Sequence, residues 1–324
     1  MDVRAPGICE TADVSRPAPK PSADDLLVLL AVGRSGRFVS AADELGSNHT
    51  TVSRRIAALE EALGGRLLVR VAGGWELTEL GRDALAAAES VEAAVRSLAA
   101  GTDGDRALNG VVRISATDGF SAYVAAPAAA DVRRRHPGVA VELVATTRRA
   151  TQQRSGVDAE VVVGEPQVHR AQARALGDYC LGLYASREYL HRHGEPTTRA
   201  ALAGHPLVYF IDSMLQVDDL DLARAVAPGM RESVTSTNVF VHVEATRAAA
   251  GIGLLPCFMA DRHDDLVRIL GGGPDGVTLR LTYWLVTRTE TLRRPEVAAV
   301  VEAIDRRMSD LRDVLLGTAR QPSV

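Results

Sequence analysis

Two groups of residues carry side chains suited to chemistry. His49, Thr50, Thr51, Ser53, Arg54 and Arg55 follow one another closely after Ser47 and Asn48. They offer hydrogen-bond donors and acceptors that can read base edges, and two guanidinium groups that match phosphate or guanine. The second group is dispersed: Thr117-Asp118-Gly119, Thr146-Thr147 and Thr237-Asn238 each follow an apolar run. Polar loops at the carboxyl ends of strands, with helix N-termini beside them, are where open α/β sheets bind small molecules. The same residue types also serve as ordinary helix caps, and sequence alone leaves both roles open.

Other chemistries lack their residues. Cys9, Cys180 and Cys257 form no CxxC or Cys/His spacing, so neither a disulfide framework nor zinc is expected. Gly251-Ile252-Gly253 lacks the third glycine of a dinucleotide fingerprint and precedes a strand. The run Gly271 to Gly276 has no Lys-Ser/Thr after it. No GxSxG elbow occurs, and His191 and His193 have no third ligand near them in sequence. No catalytic residue, metal or cofactor is expected.

The elements that must position these residues follow from apolar spacing. Ser22 with Asp25 reads as a helix start, and Leu26, Leu29 and Leu30 carry that helix to Gly33. Phe38 to Leu45 reads as a short helix with Val39, Ala42 and Leu45 inward. Val52, Ile56, Leu59 and Leu63, spaced four, three and four, make one stripe of a helix from His49 to Leu63, which puts the polar residues on the other face. Leu67 to Val71 and Trp75 to Leu77 flank Gly73-Gly74 as a hairpin, or wing. Thr78 then caps a helix to Ala100 whose seam is Leu80, Ala84, Ala87, Val91, Ala94 and Leu98, a heptad pattern that predicts dimerisation.

Beyond a polar linker at Gly101 to Gly110 the pattern alternates. Strands are expected at Val111–Ala116, Val139–Ala145, Ala159–Val163, Tyr179–Ala185, Leu207–Ile211, Ser233–Ser236, Gly253–Leu255, Leu266–Leu270 and Thr278–Val286. Helices are expected at Ala122–Arg135, Arg148–Arg154, Asn238–Ala250 and from Pro295 to Leu316. This alternation predicts a mostly parallel α/β unit.

Composition agrees with two globular domains in 324 residues: 46% hydrophobic, 24% charged. Net charge of -4 gives no whole-chain signal for nucleic acid, so a DNA-binding surface must be local. Residues 33–74 carry more arginines than acids, Arg37 and Arg70 among them. Lys20 is the single lysine among 37 basic residues, a bias spread along the whole chain. Residues 1–21 contain several prolines and no apolar run, and read as a disordered leader without a secretion signal. No stretch is long and apolar enough for a membrane span, and the expected location is the cytoplasm.

The runs Ser35 to Leu45, Thr51 to Glu60, Leu63 to Arg70 and Leu77-Thr78-Glu79-Leu80-Gly81 resemble, without a gap, the N-terminal signature of LysR-type transcriptional regulators. Asn48-His49-Thr50 departs from the family's commoner Ser-Gln-Pro/Ser at the start of the recognition helix. A weaker resemblance runs through residues 108–316, in Gly182 to Ser186, Tyr189-Leu190, His193-Gly194, His205-Pro206-Leu207 and Ala249 to Pro256. The resemblance implies a winged helix-turn-helix (22–77), a linker helix that dimerises (78–101), and a periplasmic-binding-protein-like effector domain (108–316). That domain would have two Rossmann-like lobes, about 108–172 with 288–316 and about 173–287, joined by two crossing strands.

Together these readings predict an α/β, DNA-binding transcriptional regulator. Double-stranded promoter DNA would be contacted by Ser47, Asn48, His49, Thr50, Thr51, Ser53, Arg54, Arg55, Arg37 and Arg70. A polar or carboxylated metabolite would be held by Thr117, Asp118, Gly119, Thr146, Thr147, Thr237 and Asn238. The assembly would be a homodimer or homotetramer, with RNA polymerase a partner if the output is activation. The alternatives are an effector-independent repressor of the same fold, a solute-binding protein, or an enzyme built on the α/β half.

Overall fold

A helix of Ala23–Ser35 (α1), one of Phe38–Glu44 (α2) and one of His49–Leu63 (α3) open the computed structural model. The structure describes residues 20–71, 74–99, 108–146, 157–166, 171–211, 226 and 229–319. The leader up to residue 19, the linker at 100–107, the short helix expected at 148–154, and Thr147 lie outside the described residues. The chain divides into two units, Met1–Ala99 and Ala100–Val324.

In the first unit α1 buries Val28 to Val32 without a break, and α3 buries Val52, Ile56 and Leu59 as its stripe requires. Ser22 stands at the N-cap of α1, but its side chain makes no capping bond, and the helix runs on to Ser35. Gly36 ends it in the left-handed conformation. α2 is turned differently from expectation. Val39 is 62% and Leu45 40% exposed, while Ala41 and Ala42 are buried and Phe38 packs on the core. A helix of seven residues has too few turns for spacing to fix its phase, and Phe38, edge-on to Trp75 at 5.1 Å, sets it instead.

A hairpin of Leu68–Val71 (β1) and Gly74–Leu77 (β2) follows, paired antiparallel. It is tied back to the helices by main-chain bonds from Trp75 N–H to the Gly36 carbonyl (3.1 Å) and from Thr78 N–H to the Leu67 carbonyl (2.9 Å). Glu60 accepts from Arg66 and from the Leu67 N–H, both at 2.9 Å, fixing the exit of α3. Thr78 accepts from the Gly81 N–H at 2.9 Å, capping the long helix Glu79–Ala99 (α4).

The expected dimer seam on α4 is divided. Ala84 is buried and Leu80 packed in the chain's own core, beside fully buried Leu85 and Ala88. Arg34 of α1 donates to both carboxylate oxygens of Glu92 at 2.9 and 2.8 Å, clamping the two helices. Leu80 and Ala84 therefore serve the monomer. The reason is the alanine-rich composition, which gives the helix two overlapping apolar rows. Ala87 is exposed, Val91 half-buried, and Val95 exposed. The side chains of Ala94 and Leu98 lie outside the described residues.

The second unit is a nine-stranded mixed sheet, not a mostly parallel one. Asn109–Ala116 (β3), Gly138–Ala145 (β4) and Ala159–Val163 (β5) pair in parallel at one end. Pro206–Phe210 (β7), Arg231–Ser236 (β8) and Ile252–Pro256 (β9) do so at the other. Between them run two long antiparallel strands, Gln172–Ser186 (β6) and Thr278–Thr287 (β11), giving the order β4-β3-β5-β11-β6-β9-β7-β8. Leu266–Ile269 (β10) adds to β6 off this path. Helices Asp118–Phe120 (α5) and Ala126–Arg135 (α6) are joined by a π-helical turn, so helical structure starts earlier than the expected Ala122. Arg187–His193 (α7), Val239–Arg247 (α8) and Cys257–Ala260 (α9) follow in the second half. The chain then returns through Thr289–Leu292 (α10) and Pro295–Asp310 (α11).

Buried Arg294 pins that return. It donates to Asp158 (2.5 Å), Glu296 (3.0 Å) and the Val111 carbonyl (3.1 Å), while Asp158 also accepts from the Arg113 N–H at 2.8 Å.

Gly81 marks the tightest packing in the first unit: a Cβ there would lie 2.0 Å from the Leu67 carbonyl oxygen. Gly81→Ala is expected to cost about 1–3 kcal/mol by overpacking, read as a lower thermal midpoint for residues 20–99. An unchanged midpoint would show that the hairpin and α4 can separate without cost.

Candidate nucleic-acid interface and ligand cleft

The start of α3 is built by Asn48. Its backbone is extended, and its side-chain oxygen accepts from the Thr51 N–H at 2.8 Å and from the Thr50 hydroxyl at 2.6 Å. Asn48 is thus the helix cap, and Thr50 is held by it. Ser47, His49, Thr50, Ser53 and Arg54 are exposed, with Thr51 half-buried. Helical spacing sets Thr50 and Arg54 opposite Val52, Ile56 and Leu59, while His49 stands at the exposed end of the helix in the first turn. Arg55 leans away, 3.8 Å from Asp25 of α1. Arg37 is exposed at the N-cap of α2 and Arg70 on the wing. Exposed Val69, Val71 and Trp75 accompany Arg70 on the hairpin. The resulting surface is a row of donors and acceptors on a helix start, flanked by guanidinium groups. That suits a groove edge and its phosphates.

In the second unit a narrow cleft of about 30 Å³ lies partly open to solvent. Thr117, Asp118 and Gly119 line it, as expected. Of the other expected residues that the structure describes, Thr146, Thr237 and Asn238 do not line it. The Thr146 hydroxyl shares a hydrogen bond with Ser115 at 2.9 Å. Thr237 is exposed, and Asn238 caps α8 by accepting from the Phe240 N–H at 2.8 Å. For Asn238 the capping role stands, and Val239, one residue on, reaches the cleft instead.

The walls are mainly apolar: Val163, Leu181, Leu254 and Pro256 with the rings of Tyr179, Tyr209, Phe210 and Tyr283. Tyr179 and Tyr283 stack at 4.2 Å, one from each crossing strand. The Tyr283 hydroxyl meets Thr117 and Tyr179, and burial pushes its pKa up, so it stays protonated. These rings are invisible to loop-based reasoning because they sit inside strands. The adjacent pair Tyr209-Phe210 at the carboxyl end of β7 was the available signal.

Asp118 lies where the two halves approach. Burial raises its carboxyl pKa, and the Val239 N–H, from the other half, opposes that rise. Behind the aromatic wall, His242 is fully buried against Tyr209 and Phe210. Its Nε2 meets the Ser236 carbonyl at 2.9 Å. Burial lowers its pKa, so it is neutral at pH 7. Among the described residues no group of three His, Cys, Asp or Glu could hold a metal ion, and no helix is long and apolar enough to cross a membrane.

Two family models match the chain: "Bacterial regulatory helix-turn-helix protein, lysR family" over residues 23–82, and "LysR substrate binding domain" over residues 105–309. The HTH-type transcriptional regulator CrgA of Neisseria meningitidis serogroup C (strain 8013) is 30% identical over 197 residues, 60% of this chain. The match spans 65% of that relative's length, just under two thirds. The solved structure of CrgA from Neisseria meningitidis shares the fold at 23% identity and a TM-score of 0.53, covering 90% of this chain and 99% of that one. A full-length OxyR variant from Pseudomonas aeruginosa does so at 16% identity and a TM-score of 0.68, covering 88% and 98%.

A buried neutral histidine gives stability a definite pH slope. The unfolded chain takes up the proton near pH 6.5, whereas His242 in the fold resists it. Stability is therefore full above about pH 6.5 and lost as pH falls below it. His205, also lowered by burial, adds the same sign. The thermal midpoint is expected to drop on acidification, and to drop less in His242→Gln. An equal drop in both would remove His242 from this role.

Proposed function

Because the chain belongs to the LysR family of helix-turn-helix regulators, we propose that it is a sequence-specific promoter-binding protein whose activity a small molecule controls. The observation that carries this reading is the start of α3. Its N-terminus is capped from within the chain, its inner face is buried, and His49, Thr50, Ser53 and Arg54 are left outward. Residues 22–77 act as the DNA-binding head, and the helix over 78–101 pairs two chains through Ala87, Val91, Ala94 and Leu98. A two-fold pair reads a two-fold site.

The effector domain takes its ligand between lobe one, about 108–172 with 288–316, and lobe two, about 173–287. The site comprises Thr117, Asp118 and Gly119 from the first and Tyr209, Phe210 and Val239 from the second. A ligand that binds one lobe arrangement better shifts the population toward it, and the paired heads change spacing with it. The protein works in the cytoplasm as a homodimer or homotetramer, with RNA polymerase as a further partner if the output is activation.

Two measurements test this. In a binding assay on DNA fragments from around its own gene, His49→Ala should flatten base preference, by about 1–3 kcal/mol if it contacts a base. Arg54→Ala should weaken binding and reduce its salt dependence. Base preference and salt dependence untouched by either change would remove α3 from the interface. In sedimentation, Val91→Asp with Leu98→Asp should give a monomer, because the seam would bury unpaired charge; an intact dimer would place the pairing elsewhere.

A further inference from the structure

The cleft has an electrical character that narrows what it can hold. Among the described residues that line it, Asp118 is the one with a charge. Its carboxylate sits half-buried beside apolar walls, and the partner facing it is a neutral backbone N–H, that of Val239. A carboxylate in such surroundings loses hydration that one amide bond replaces only in part. Burial accordingly raises its pKa, the direction expected of a carboxylate short of positive charge. The walls do not favour an anion either. Tyr179, Tyr209, Phe210 and Tyr283 present aromatic carbon, and the Tyr283 hydroxyl is already engaged with Thr117 and Tyr179. Ring faces attract cations through their quadrupole. Nearby, Arg262 lies 4.8 Å from the centroid of the Tyr123 ring, outside the lining.

Resting on the cleft assigned above, we propose that the effector is a small organic cation: an ammonium group on a short alkyl or aryl body, its charge on Asp118 and its body against the aromatic walls. The ammonium supplies the charge that Asp118 lacks. Asp118 opens α5 on one side of the cleft and Val239 opens α8 on the other, so a cation on this carboxylate acts where the two halves meet. A carboxylated ligand would instead set a like charge beside Asp118, which disfavours binding.

The test uses the full-length chain and three probes of matched shape: benzylammonium, benzyl alcohol and benzoate, followed by titration calorimetry and thermal unfolding. Benzylammonium is expected to bind and raise the unfolding temperature, and benzoate to do neither. Asp118→Asn, which keeps size and polarity, should weaken benzylammonium about tenfold or more. Phe210→Ala, checked for folding by circular dichroism, should weaken it as well. Benzoate or benzyl alcohol binding more tightly than benzylammonium, with that binding lost in Phe210→Ala, would overturn the cationic class while leaving the cleft in place. Benzylammonium affinity unchanged in Asp118→Asn would also overturn it. Binding by no probe, or binding untouched by both substitutions, would remove the cationic class and the cleft together.

Discussion

The pairing of Gln172–Ser186 with Thr278–Thr287 is the interaction on which the effector half depends. Both parallel groups of strands hang on it: β5 pairs with one member and β9 with the other. The stacked rings of Tyr179 and Tyr283 sit on this crossing and form part of the cleft wall. The two strands cross the middle of one nine-stranded sheet and are the links that join its two parallel ends. Polar contacts brace this junction. Arg294 holds the returning chain to Asp158, Glu296 and Val111, and Thr282 donates to Asp178 across the strands at 2.7 Å.

The DNA-binding half depends on a different device, the economy of one core shared by four helices and a hairpin. Leu29, Leu59 and Leu85, from three helices, and Leu67, just before the hairpin, are fully buried together. The first turns of α4 are spent in that core, and the Arg34–Glu92 pair extends the clamp along the helix. The portion that the proposed pairing with a second chain can use is therefore shorter than the heptad pattern suggests, from Ala87 onward.

Long elements with one buried face were legible in the sequence. The four-three spacing of Val52, Ile56 and Leu59 placed α3 and, by exclusion, its outward row. Ala159–Val163 was found residue for residue, because a fully apolar run between polar loops has few other homes. Less legible were features set by tertiary contact. Val39 and Leu45 look as apolar as any core residue, but the phase of so short a helix is chosen by the packing of Phe38. The first half of β6, Gln172–Asp178, alternates over only four residues, Gln172 to Ala175, before Leu176-Gly177 break the pattern, and it is held as a strand by its pairing with β11. Of the residues that line the cleft, Thr117, Asp118 and Gly119 were visible as a loop after a strand. Asn238 and Thr146 fit that description equally well and turn out to satisfy local hydrogen bonds. The aromatic wall was hidden because strand-borne tyrosines read as core.

The central claim is that this chain reads DNA as a two-fold object through the exposed row that begins α3. It is tested most directly by footprinting purified protein on a fragment it selects from the DNA around its own gene. The account predicts two protected half-sites on one face of the duplex, with centres one helical turn of about 10.5 base pairs, or a multiple of it, apart. A single undivided footprint, or binding with no preference among fragments, would contradict it.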